Sequence, residues 1–142
     1  MTIETLQPKE WPRPKGYANG IAARGRMIFV SGQIGWDGQG QFVSDVLSDQ
    51  VKQALRNILR VLAEAGADPS HVVRLTWFVL SRDAYLREVR EIGAAYREVM
   101  GKHFPAMSVV EVSGLVEQRA LVEIEATAVI PDGEVHGDLA SA

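Results

Sequence analysis

The sequence predicts a small α+β domain in the order β-β-α-β-α-β-β, with two helices on one face of a sheet. Three observations predict it. Residues 48–65 place Val51, Leu55, Ile58, Leu59 and Leu62 on one stripe at helical spacing. Residues 71–80, HVVRLTWFVL, carry the β-branched and aromatic side chains that favour a strand. A chain of 142 residues with a 46% apolar share suits one domain and leaves no room for two.

The elements are justified in chain order. Residues 1–15 hold three prolines and several charges, which predicts an extended, loosely attached arm. Residues 17–34 read as two strand-like runs about a turn at Arg24-Gly25. In the second run Ile28, Val30 and Ile34 alternate with Met27, Phe29, Ser31 and Gln33. Gly32 lies inside that alternation and predicts a bulge or a close approach. WDGQGQ, residues 36–41, is turn chemistry. For the first helix, Ser48 is the expected N-cap, Asp49 suits the first turn and Gly66 suits the C′ position. Asp68-Pro69-Ser70 turns the chain into the strand 71–80. Residues 83–100 predict a second helix with Leu86, Val89, Gly93, Tyr96 and Met100 on one face and Gly101 at its end. Gly93 costs about 1 kcal/mol against alanine there, which points to a close approach by another element. Next come a strand after Pro105, a loop over 113–119 and a strand over 120–130. The folded core is expected over about 17–130, and the polar tail 131–142 is expected to be mobile.

The strand 71–80 carries Val73, Leu75, Trp77 and Val79 on one face and Val72, Thr76, Phe78 and Leu80 on the other. Both faces read as buried, as in a strand covered on two sides. Two helices cover only one of them. A second copy of the chain is the simplest cover for the other, so a homo-oligomer is expected.

Composition excludes several functions. A net charge of −3 gives no electrostatic footprint for nucleic acid or an anionic membrane. With no cysteine there is no thiol nucleophile, disulfide or thiolate metal site. The N-terminal MTIETLQPKEW lacks the basic and apolar blocks of a signal peptide, and no apolar stretch is of membrane-spanning length, so a cytoplasmic protein is expected. In VEIEATAV, Glu123 and Glu125 share one strand face, opposite Val122, Ile124, Ala126 and Ala128. A partly desolvated glutamate there, its pKa raised, would position and activate a water. A Glu-x-Glu pair taken alone is more often solvated or ion-paired. Ser31 lacks a nucleophile elbow and a neighbouring histidine, so hydrogen bonding at a turn is its better reading. His71, His103 and His136 are scattered and make no i, i+4 metal pair. Tyr17 is a candidate hydroxyl donor and Trp36 a candidate pocket wall, beside ordinary packing roles for each.

Together, GYANG, FVSGQI, the helix with Asn57, AGAD before HVVRLTWFV, and PAMSVVEV followed by VEIEATAV resemble the RidA/YjgF family of imine and enamine deaminases. The resemblance spans about residues 17–129, and it rests on the order and spacing of the segments. It implies a chorismate-mutase-like α+β fold and a homotrimer with sites at the subunit interfaces. It also implies hydrolysis of reactive imines and enamines, such as 2-aminoacrylate, without metal or organic cofactor. Carried over residue by residue, it makes Glu123 the holder of the attacking water and Tyr17 a border of the pocket. Ser31 and Gly32 fall beside the cavity. The family's carboxylate-gripping arginine does not carry over, because Met107 stands in its place. Arginine is a planar two-pronged donor and methionine an apolar thioether. The loss weakens carboxylate binding by about one to two orders of magnitude, at about 1.5–3 kcal/mol per charged contact. Val109 and Gly93 also depart from the pattern. Arg119 or Arg13 is the expected substitute clamp. Two functions are compatible with this: hydrolysis of a less anionic or non-standard imine, or a trimer that binds a small metabolite without turnover. RNA cleavage, a label attached to relatives, gains little from a net charge of −3.

Overall fold

The computed structural model describes residues 2–133. Its elements are β1 (Glu4–Leu6), β2 (Gly20–Ala22), β3 (Gly25–Gln33), α1 (Leu47–Ala63), β4 (Val72–Val79), α2 (Arg82–Arg87), α3 (Val89–Met100), β5 (Ala106–Glu111) and β6 (Val122–Pro131). A four-stranded sheet runs in the order β3-β6-β4-β5, and β1 and β2 form a separate two-stranded ribbon. Only β4 and β5 pair in parallel; β3–β6 and β4–β6 are antiparallel. This is the expected α+β class with the helices on one face.

The expected first strand pair is divided. β2 pairs with β1 rather than with β3, joining Glu4 to Ala22 and Leu6 to Gly20. Of the expected arm, Glu4–Leu6 is held by this ladder, and a turn follows in which the Trp11 N–H donates to Pro8 O at 3.2 Å. A pairing between segments about sixteen residues apart, across a proline-rich stretch, leaves no local pattern. Of the expected tail, residues 134–142, and with them His136, lie outside the described residues.

One face of the sheet carries Ile28 and Val30 of β3, Leu75, Trp77 and Val79 of β4, and Val122, Ile124, Ala126 and Ala128 of β6. The α1 stripe Val51, Leu55, Ile58 and Leu62 closes over it and is fully buried, with Leu59 at its margin. The helix starts one residue before the expected cap. Burying Leu47 draws the start back, so Val46 is the N-cap and makes no side-chain cap bond. Ser48 lies inside the helix, and its N–H donates to Glu88 Oε1 at 3.1 Å. A carboxylate from the second helical segment thus supplies what a capping hydroxyl would have supplied. The C-terminal expectation holds: Gly66 has φ 74°, and the Ala67 N–H donates to Leu62 O at 3.0 Å.

Gln50 is the polar residue of that stripe and is fully buried. Its amide donates to Ser44 O at 2.9 Å and Arg119 O at 3.1 Å, and its oxygen accepts the Leu121 N–H at 2.8 Å. One side chain therefore fixes the loop before α1 and the entry to β6. Asn57 donates to Ile34 O and Trp36 O, and so fixes the exit of β3.

The second helix is in two pieces, broken at Glu88, whose backbone (φ −102°, ψ 17°) is not helical. The break shifts the phase of α3 relative to α2. Ile92, Ala95, Tyr96 and Met100 are buried, whereas Leu86 and Val89 of the expected stripe are exposed. The neighbour of Gly93 is also different from expectation. The nearest atom to a Cβ placed there is Nη1 of Arg97, at 3.3 Å, a side chain of its own helix. His71 and His103 both serve the backbone: Nδ1 of His71 accepts the Asp68 N–H at 3.0 Å, and Nε2 of His103 lies 2.7 Å from Val72 O.

Candidate functional site

The open face of the sheet holds the first part of the site. Glu123 stands opposite Phe78 there, and Glu125 opposite Thr76. β3 breaks register between Val30 and Gln33, so the expected bulge is present. Its purpose is visible at Gly32: a Cβ at that position would overlap Glu123 Oε2 and lie 2.6 Å from its Cδ. The absent side chain of Gly32 is the space that the Glu123 carboxylate occupies. Among the described residues that carboxylate has no hydrogen-bond or ion-pair partner. Ser31 beside it is exposed, and its carbonyl accepts from the Gln33 amide at 3.2 Å. Gln33 and Trp36 share a depression over α1. Trp36 packs on Phe42 with ring centroids 5.8 Å apart.

The second part lies at β5. The Ala18 N–H donates to Pro105 O at 3.0 Å, and Ala18 bridges to Ala106. This lays the segment after Gly16 along the start of β5. As a result Tyr17 and Met107 line one cavity of about 190 Å³ with Asn19, Arg74 and Ser108. Met107, in register with Leu75, also borders a second cavity of about 190 Å³ on the helix side. Aromatic rings wall that cavity. Phe104 stacks on Tyr96 at 5.4 Å, Tyr96 on Trp77 at 6.3 Å, and Tyr85 meets Trp77 edge-on at 6.5 Å. Burial pushes the hydroxyls of Tyr85 and Tyr96 up from their ordinary range, so both stay neutral at physiological pH. The Tyr96 hydroxyl donates to His103 O. Lys15, Gly93 and Arg97 complete the wall.

The two parts do not meet within one chain. Two strand spacings of about 4.8 Å and three residues at about 3.3 Å separate Met107 from Glu123 by roughly 14 Å, on opposite faces. Arg119 is placed with neither. It pairs with Asp45 at 2.7 Å and lies over the Phe42 ring at 5.2 Å, as a structural tie beside α1. Sequence reasoning missed Arg74 and Arg97. The alternation of β4 puts Arg74 on the open face, and a spacing of four residues puts Arg97 over Gly93. Neither pattern is specific without the cavity.

Comparison with known proteins bears on the family and the fold. Residues 10–130 match the family model described as endoribonuclease L-PSP. The chain belongs to the RidA/YjgF family. A RutC family protein of Pyrococcus abyssi is 33% identical over 129 residues, covering 90% of this chain and 98% of that protein. Human 2-iminobutanoate/2-iminopropanoate deaminase is 36% identical over 105 residues, 73% of each chain. The crystal structure of the Rid-family protein YyfB from Yersinia pestis superposes with a TM-score of 0.79 at 30% identity, covering 92% of this chain and 100% of that one. No helix among the described residues is long and apolar enough to cross a membrane, and no cluster of metal-ligating side chains occurs among them.

Proposed function

We propose that the protein hydrolyses a reactive imine or enamine to a carbonyl compound and ammonia, at sites built between copies of a cytoplasmic homotrimer. Its substrate differs from the small anions that an arginine at position 107 would select. The observation that carries this reading is the Glu123 carboxylate, free of partners among the described residues and seated in space that Gly32 leaves empty. Glu123 removes a proton from water as the water oxygen bonds to the imine carbon. The nitrogen takes up protons, its bond to carbon breaks, and ammonia leaves as the C=O forms. An enamine enters the same path after protonation at carbon.

Two further observations support the assembly. Phe29 (70% exposed) and Met27 (57%) leave an apolar patch on the β3 end of the open sheet face in the isolated chain. Glu123 and Met107 also stand too far apart to share a substrate unless a second chain brings them together. Light scattering should then give a mass three times that of the chain.

The test of the reaction is ammonia release from imines generated in situ by an amino-acid oxidase. Release faster than the spontaneous rate is expected. No acceleration with acidic, neutral and aromatic imines would overturn the reading and leave a trimer that binds a metabolite without turnover.

A further inference from the structure

We infer that the helix-side cavity binds the carboxylate of an amphiphilic organic anion through Arg97, so that the anion grip stands on α3 instead of β5. This rests on the imine-hydrolase reading for the identity of the reacting group. For the carboxylate and the apolar chain it rests on the cavity alone.

The guanidinium of Arg97 lies against Gly93, with Nη1 at 3.3 Å and both Cζ and Nη2 at 4.0 Å from the point a Cβ would occupy. Glycine on that turn lets the side chain fold back toward β5, where Met107 leaves no competing charge. Among the described residues Arg97 has no carboxylate partner. The cavity wall holds two cations, Lys15 and Arg97, and no acidic residue, although the chain as a whole is acidic. A cationic rim over stacked aromatic rings suits one ligand class: a carboxylate joined to an aromatic or long apolar group. A second observation points the same way. Trp77, 3% exposed, lines the cavity, and its indole Nε1 is a buried donor without an acceptor. A buried N–H left unpaired is costly, and a ligand oxygen would satisfy it once a small shift of the cavity wall uncovers that nitrogen. The substrate assigned is therefore a 2-imino or enamine acid with a bulky apolar side chain.

The probe is 3-phenylpropanoate, compared with the neutral 3-phenylpropanol, by calorimetric titration of the intact protein. The acid should bind at least tenfold more tightly than the alcohol. Arg97→Met should weaken the acid by about 10- to 100-fold and leave the alcohol within twofold, given the strength of a charge-assisted contact. Arg97→Lys should recover part of the loss. Arg97 is exposed, so an unchanged melting temperature is expected in both variants. Equal affinity for acid and alcohol, acid binding unchanged in Arg97→Met, or loss on Lys15→Met instead, would each overturn the assignment. Ammonia release separates the two claims. Arg97-dependent binding without turnover of any imine removes the hydrolase reading and keeps the grip. Turnover of the imine of phenylalanine that is indifferent to Arg97→Met does the reverse.

Discussion

The two halves of the candidate site differ in the chemistry they present. On the open face, the Glu123 carboxylate fills the space that Gly32 leaves empty, beside Ser31, and the backbone of β3 is bulged there. On the helix side, the β5 position that would carry charge carries Met107, and charge comes from α3 and the arm. In the proposed reaction the carboxylate half serves a water, the same in every hydrolysis of this type. In the same proposal the Met107 half faces the part of the substrate that varies. The proposal thus makes chemistry and selectivity separable, on opposite faces of one sheet.

That separation can be broken by mutation. The largest effect is expected from Glu123→Gln, which keeps the shape and removes the base. Ammonia release should fall by about 10²- to 10⁴-fold while binding of 3-phenylpropanoate stays within twofold. A parallel loss of binding would show that the halves are not separable. Gly32→Ala comes next. Its methyl would overlap the Glu123 carboxyl group, with Cδ only 2.6 Å away, so the side chain must turn aside. The turnover rate should fall at least tenfold, again with binding kept; an unchanged rate would mean that Glu123 acts from another rotamer. Met107→Arg probes the other half. Activity on 2-aminoacrylate should rise about tenfold, the worth of one recovered charged contact. Activity on the imine of phenylalanine should fall as the cavity fills. No change in the ratio of the two would place selectivity elsewhere.

The smallest effect concerns pH. Tyr85 and Tyr96 have folded pKa values raised by burial. The neutral hydroxyl is the form the fold favours. The associated stability is complete below the unfolded pKa of about 10 and is lost as pH rises through the folded value. The melting temperature should be flat from pH 7 to 9 with respect to these groups and decline above about pH 10. The decline should be shallower in Tyr96→Phe, although that variant starts lower because it strands His103 O. An equal slope would remove Tyr96 from the effect.

Much of the fold is legible in the sequence where period and chemistry act locally. The α1 stripe comes from spacing alone, and Gly32 inside an alternating strand marks the bulge. The faces of β4 are readable from Leu75 on, with Leu75, Trp77 and Val79 on the helix-covered side; at its start a register shift before Arg74 puts Val72 in the core with them, where alternation places Val73. The misreadings share a cause: each depends on a partner distant in sequence. Ser48 has the right chemistry for a cap, but Glu88, forty residues on, meets its N–H. The phase of α3 depends on the break at Glu88, which no proline or glycine marks. Pairing of β1 with β2 and the reach of Arg97 over Gly93 are likewise decided by tertiary placement. Met107 is recognisable from sequence as a departure from a motif; what compensates for it requires the cavity.

Gln50 has a consequence for anyone who would re-engineer the protein. Its oxygen holds the Leu121 N–H, two residues before Glu123, so the calibration of the proposed base's position is set from inside a helix, away from both halves of the site. A directed-evolution library restricted to pocket walls would retune which molecules enter and would leave that calibration alone. A swap of Gln50 for a hydrophobe, chosen to improve the core, would detune the reaction while every pocket residue stayed the same.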